Sequence, residues 1–113
     1  MNRDPIAELR KRRMVEVLTE VATGVRSLEW FEGAIQPEDE RTAWATRQLL
    51  KMGFIKMVEG YRDTQGLPFC LTDLGGTFLE GVVARIGTKG IGGVINIDWT
   101  RINEIEFPST GSE

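Results

Sequence analysis

The sequence contains no histidine and a single cysteine, Cys70. Zinc sites built from Cys and His are therefore excluded, and so is an internal disulfide. His-dependent acid–base chemistry and the usual nucleophile–His pairs go with them. Cys70 lies in an apolar run and reads as small core filler rather than a thiolate. No apolar run approaches the ~20 residues of a membrane span. The opening MNRDPIAELRKRRM has neither the apolar stretch nor the small-residue cleavage site of a signal peptide. These absences point to a cytoplasmic protein that is not an enzyme, with no metal and no cofactor expected.

What is present is an ordinary globular composition, 41% hydrophobic and 27% charged over 113 residues, so one domain with a real core is the default. The formal net charge of −3 hides a polarised chain. Residues 1–13 carry a net +3 and residues 41–62 a net +4, while residues 29–40 hold five acids and no base. Distribution matters more than the total when a nucleic-acid partner is considered.

Asp4-Pro5 suits a helix start, and Ile6, Leu9, Met14, Val17, Leu18 and Val21 recur at helical spacing up to Gly24, which predicts a first helix over about residues 5–22. Its basic run, Arg10 to Arg13, reads either as a solvated face, the commoner case, or as a phosphate contact. Gly24-Val25-Arg26 can form a short strand. Ser27 can cap a short helix over 28–32, which Gly33 stops. Pro37 suits a first helical position, with Glu38, Asp39 and Glu40 at the positive end of the helix dipole. Gly53 stands where a left-handed residue would close that helix.

On this long helix Thr42, Ala45, Leu49 and Met52 form one stripe, expected to pack on the first helix with Leu50 beside them. Arg41, Trp44, Gln48 and Lys51 form another, with Arg47 adjacent. Trp44 has two readings: a contact residue, or a partly buried support for the wing. The runs FIKMVEGY and LPFCLT, joined by Arg62-Asp63-Thr64-Gln65-Gly66, predict a hairpin.

Thr72 is the natural N-cap of a further helix, with Leu74, Phe78, Leu79, Val82, Val83 and Ile86 as its apolar face and Gly87 as its end. Gly75, Gly76 and Gly81 each cost such a helix up to about 1 kcal/mol, and close approach by another helix, including one from a second subunit, would offset that. The segment GTKGIGG at 87–93 reads as a flexible hinge. It fails as a phosphate loop because Lys89 precedes Gly90 and no Ser or Thr follows. Val94 to Trp99 alternates like a strand, with Ile95, Ile97 and Trp99 on one face, expected to pair with the hairpin sheet or to cross to a second subunit. The tail STGSE is expected to be disordered.

The run ATRQLLKMGFIKMVEGYRDTQGLPFCLTDLGGTFLEG resembles the second half of a winged-helix DNA-binding domain of the multiple-antibiotic-resistance regulator (MarR) and PadR type. The matching residues are Leu49, Gly53, Phe54 and Ile55, then Leu71, Thr72, Asp73 and Gly75 or Gly76, and the likeness covers about residues 5–86. The fold expected is α+β: a winged helix-turn-helix with a small antiparallel wing sheet over residues 1–87, then a glycine hinge, β extension and tail over 88–113. The resemblance implies a transcription regulator that binds double-stranded DNA, with its recognition helix in the major groove and its wing on the backbone or minor groove.

Carried over position by position, Arg41, Trp44, Arg47, Gln48 and Lys51 fall on the recognition face, and Arg62 and Gln65 at the wing tip. Arg and Gln suit guanine and adenine edges, whereas Lys51 suits phosphate. The Ser/Thr-rich opening usual in these helices is replaced here by Glu38-Asp39-Glu40, which would face phosphates unfavourably. A homodimer is expected. The alternative is a protein-interaction module, with Trp44 as aromatic anchor and the acidic 29–40 segment meeting a basic partner.

Overall fold

A computed structural model describes residues 5–23, 40–57 and 69–108. Helix α1 spans Pro5–Thr23 and α2 spans Glu40–Met52. Strands β1 (Ile55–Met57) and β2 (Phe69–Leu71) pair antiparallel, with Ile55 opposite Leu71 and Met57 opposite Phe69. Helix α3 covers Asp73–Ile86, and a second antiparallel pair follows, β3 (Gly87–Lys89) with β4 (Ile95–Ile97). A 3-10 helix at Trp99–Glu104 leads to the last described residues. The architecture is α+β: helices with two small antiparallel sheets.

The expected 24–26 strand, the 28–32 helix, Pro37 and the hairpin tip with Arg62 and Gln65 lie outside the described residues, as does the STGSE tail.

The core is built where the helical stripes meet. Val15, Val17 and Leu18 of α1 are fully buried, together with Ala45 and Leu49 of α2. Two parts of the expected stripes differ. Ile6 and Leu9 are 60% and 46% exposed, because the buried part of α1 begins only at Met14 and the first turns extend past the core. On α2 the buried side also takes in Ala43 and Thr46, which widens it beyond the expected stripe, while Leu50 stays exposed.

The junction of α2, the β1–β2 hairpin and α3 is the most tightly specified part of the chain. Gly53 adopts φ +79°, a conformation only glycine takes cheaply. The Gly53 amide donates to the Leu50 carbonyl and the Phe54 amide to the Leu49 carbonyl, at 3.1 and 3.0 Å. That is the Schellman closure, which satisfies carbonyls the helix end would otherwise leave unpaired. Thr72 then clasps both helices. Its amide donates to the Phe54 carbonyl at 3.0 Å, and its hydroxyl donates to the Gly53 carbonyl while accepting from the Gly75 amide at 3.0 Å. The same Phe54 carbonyl explains Gly75: a Cβ there would lie 2.0 Å from that oxygen. The close approach inferred from the helix glycines is therefore real at Gly75, but the partner is this chain's own loop backbone, not another helix. At Gly81 a Cβ would meet nothing within 4 Å.

The glycine-rich 87–93 segment contributes a paired strand and a turn. Gly87 to Lys89 form β3, and a Cβ on Gly87 would come within 2.8 Å of the Asn96 carbonyl across the pair. Gly92 and Gly93, at φ +78° and +82°, turn the chain back. The strand at Ile95–Ile97 accordingly pairs with β3, not with the β1–β2 sheet. Beyond it, Ile102 and Ile105 are buried in the same core as α1 and α2. Phe78 of α3 stacks between Phe54 and Phe107, with ring centroids 4.6 and 4.8 Å apart. Asp98 caps the 3-10 helix by accepting from the Thr100 amide and hydroxyl, and Asn103 donates to the Glu8 carboxylate at 2.6 Å. The C-terminal segment is thus tied to α3 by aromatic stacking and to α1 by polar contacts.

Candidate nucleic-acid interface

A helix of period 3.6 places Arg47 and Lys51 one above the other, with Trp44 a turn earlier on the same side. Arg47 and Lys51 are both exposed. Gln48 and Trp44 are half-buried, at the margin between this face and the core. Arg41 is exposed at the N-terminal end of α2. The structure therefore brings Trp44, Arg47, Gln48 and Lys51 to one side of the helix and sets Arg41 at its start. The Schellman closure at Gly53 fixes where this face ends, and β1 begins two residues later with Lys56 turned outward.

Trp44 is half-buried. Its ring packs against the core, and the Arg10 guanidinium of α1 lies 5.4 Å from the ring centroid. A cation over an indole face is attracted by the ring quadrupole, which holds the guanidinium beside α2. The neighbour observed at this partly buried ring is a basic group from the first helix. Arg10 is the addition that sequence reasoning did not single out. It was visible only as one member of a four-residue basic run, and nothing in periodicity says which of the four reaches α2.

Arg12 and Arg13 of that run are committed elsewhere. Arg12 and Arg13 both reach the Glu16 carboxylate, at 3.1 and 3.2 Å, and the Arg12 guanidinium lies 4.8 Å over the Trp99 ring. A cation shared with a carboxylate contributes less positive potential to a distant partner. Arg10 is therefore turned toward α2 and Arg12 toward the C-terminal segment.

Among the described residues no group of three His, Cys, Asp or Glu side chains is placed to hold an ion. Cys70 is a half-buried free thiol in β2, opposite Lys56. No described helix is long and apolar enough to cross a membrane. No protein-family model, curated protein or solved structure matches this chain.

Proposed function

We propose that this chain is a winged-helix protein that binds double-stranded DNA as a small transcription regulator, with α2 as recognition helix and the β1–β2 hairpin as the base of the wing. The observation that carries the reading is the Arg10–Trp44 contact. It extends the exposed Arg47–Lys51 face onto α1, giving the broad basic surface a duplex needs rather than a single charged helix stripe. The order of elements agrees: helix, long helix closed by a left-handed glycine, antiparallel hairpin, capped helix. In this arrangement Arg47 and Gln48 are placed for base edges, and Arg10, Lys51 and Lys56 for phosphates.

The protein-interaction reading needs Trp44 as an aromatic anchor. A ring already packed on the core and covered by a guanidinium has little free face to offer, so this reading ranks second.

The test is fluorescence anisotropy of a labelled random duplex over a salt series. Wild-type affinity should fall steeply with salt, because each neutralised phosphate releases counterions. Arg47→Ala/Lys51→Ala should flatten the log–log slope by about one, through the lost phosphate contact of Lys51, and Arg10→Ala also by about one. Absence of binding at about 50 mM salt, where electrostatic affinity is strong, would reject the proposal in favour of a protein partner.

A further inference from the structure

The outward side of α2 carries one large apolar residue among its cations. Among the described residues of this helix, Leu50 is the only exposed large hydrophobic, at 37%. Successive helix positions turn by about 100°, so Leu50 lies about 60° to one side of Arg47 and Lys51 about 40° to the other. All three side chains are exposed. The helix cannot roll to hide Leu50, because Ala45 and Leu49 on its far side are fully buried. The last turn is also pinned. The Leu50 carbonyl accepts from the Gly53 amide at 3.1 Å and the Leu49 carbonyl from the Phe54 amide at 3.0 Å. An isobutyl group is therefore held outward, on a rigid element, beside a guanidinium and an ammonium.

With α2 in the major groove, Leu50 faces base edges. Leucine neither donates nor accepts a hydrogen bond. Against guanine, cytosine or adenine it would strip water from donors and acceptors and return nothing. Thymine presents an apolar group in that groove, its C5 methyl. We infer, on the reading of α2 as recognition helix, that Leu50 is a specificity-determining residue that reads a thymine methyl. The chemistry of the preferred site follows. Cβ atoms three positions apart on a helix lie about 5–6 Å from each other, and stacked bases about 3.4 Å. The thymine therefore stands one or two base pairs from the base that Arg47 contacts, for which guanine is the natural partner of an arginine. The favoured duplex holds a guanine with a thymine one or two pairs away.

The test begins by enriching duplexes from a randomised library on the wild-type chain. The most enriched duplex is then synthesised twice, once with thymine and once with deoxyuridine, which lacks only the methyl. Fluorescence anisotropy at about 50 mM salt compares them. Wild type should bind the thymine duplex about fourfold tighter for each methyl read, the worth of one buried carbon. Leu50→Ala should bind the two duplexes alike, with the salt dependence of wild type, since no phosphate contact is lost. Leu50→Met, which conserves apolar volume, should keep the thymine preference. The position is exposed, and unchanged circular dichroism would show that the variants remain folded.

Equal wild-type affinity for the two duplexes overturns the inference and leaves duplex binding standing. So does a thymine preference that survives Leu50→Ala, because a preference arising from duplex shape does not need the leucine. No enrichment and no binding of either duplex overturns both the inference and the reading beneath it, and returns Leu50 to a protein contact.

Discussion

Two glycines of α3 should respond to the same substitution with opposite signs. At Gly81 an added methyl meets open space, so Gly81→Ala should return only the helix-propensity difference, a gain of about 0.5–1 kcal/mol. At Gly75 the same methyl would sit 2.0 Å from the Phe54 carbonyl oxygen and 2.8 Å from its carbon. Ordinary contact between such atoms is above 3 Å, so the helix start must retreat from the loop by on the order of 1 Å. That oxygen accepts from the Thr72 amide, and the Gly75 amide is itself capped by the Thr72 hydroxyl. A retreat therefore strains a backbone bond and the cap together, each worth about 1 kcal/mol, on top of an overpacking cost of about 1–3 kcal/mol.

After the propensity gain of about 1 kcal/mol is subtracted, Gly75→Ala should lose about 2–4 kcal/mol, a large share of the ~5–15 kcal/mol that holds a domain folded. Urea unfolding followed by circular dichroism, at one fixed protein concentration, reads both changes as shifts in midpoint with the slope unchanged. A Gly75→Ala variant as stable as wild type would refute the close approach. A Gly81→Ala variant destabilised like Gly75→Ala would show that α3 packs against something on that side as well.

Thr72→Ala should cost about 2 kcal/mol, since it removes both the cap on Gly75 and the hydroxyl bond to Gly53, and Thr72→Ser should recover most of it in the same unfolding assay. Ile102→Ala should cost about 2–4 kcal/mol by opening a cavity at a buried site; a loss under about 0.5 kcal/mol would mean the C-terminal segment does not share the core. The hydrogen bond from Arg101, with its charge, holds the Glu104 carboxyl below the usual carboxylate range. Because the folded value is the depressed one, this pair supports the fold above the unfolded carboxylate pKa and ceases to as pH falls through the folded value. Carboxyl-carbon NMR titration should therefore show the Glu104 midpoint rise in Arg101→Gln, and an unmoved midpoint would dissociate the two residues.

What the sequence made legible was set by local chemistry. Pro5 opens α1, Gly53 closes α2 and Thr72 caps α3, because each of these roles is fixed by one residue's backbone or side-chain geometry. The β1–β2 pairing was legible for the same reason, two apolar runs a short way apart. The glycines were harder, since composition cannot tell a loose glycine from a crowded one. Gly87 and Gly75 are glycine because a carbonyl from elsewhere in the chain sits where a Cβ would go, and that carbonyl belongs to the tertiary structure. Thr46 is buried on α2 for a similar reason: the width of a helix's buried face depends on how many elements surround it, which no single period records.

The first helix shows how such contacts redistribute a charge that the sequence presents as one block. Arg10, Arg12 and Arg13 are near neighbours, yet successive helix positions are about 100° apart and so point at different elements. Arg10 meets Trp44 of α2, while Arg12 meets Trp99 and shares Glu16 with Arg13. Each tryptophan is half-buried, so each offers one ring face to the core and leaves another for a guanidinium. The run thereby joins α1 to α2 on one side and to the C-terminal 3-10 helix on the other. A chain with an overall charge of −3 can still carry exposed cations on one helix face, because the cations paired with Glu16 are Arg12 and Arg13 and not Arg47 or Lys51. The total charge is the wrong quantity for judging this protein's partner; the side-chain assignments along α1 are the right one.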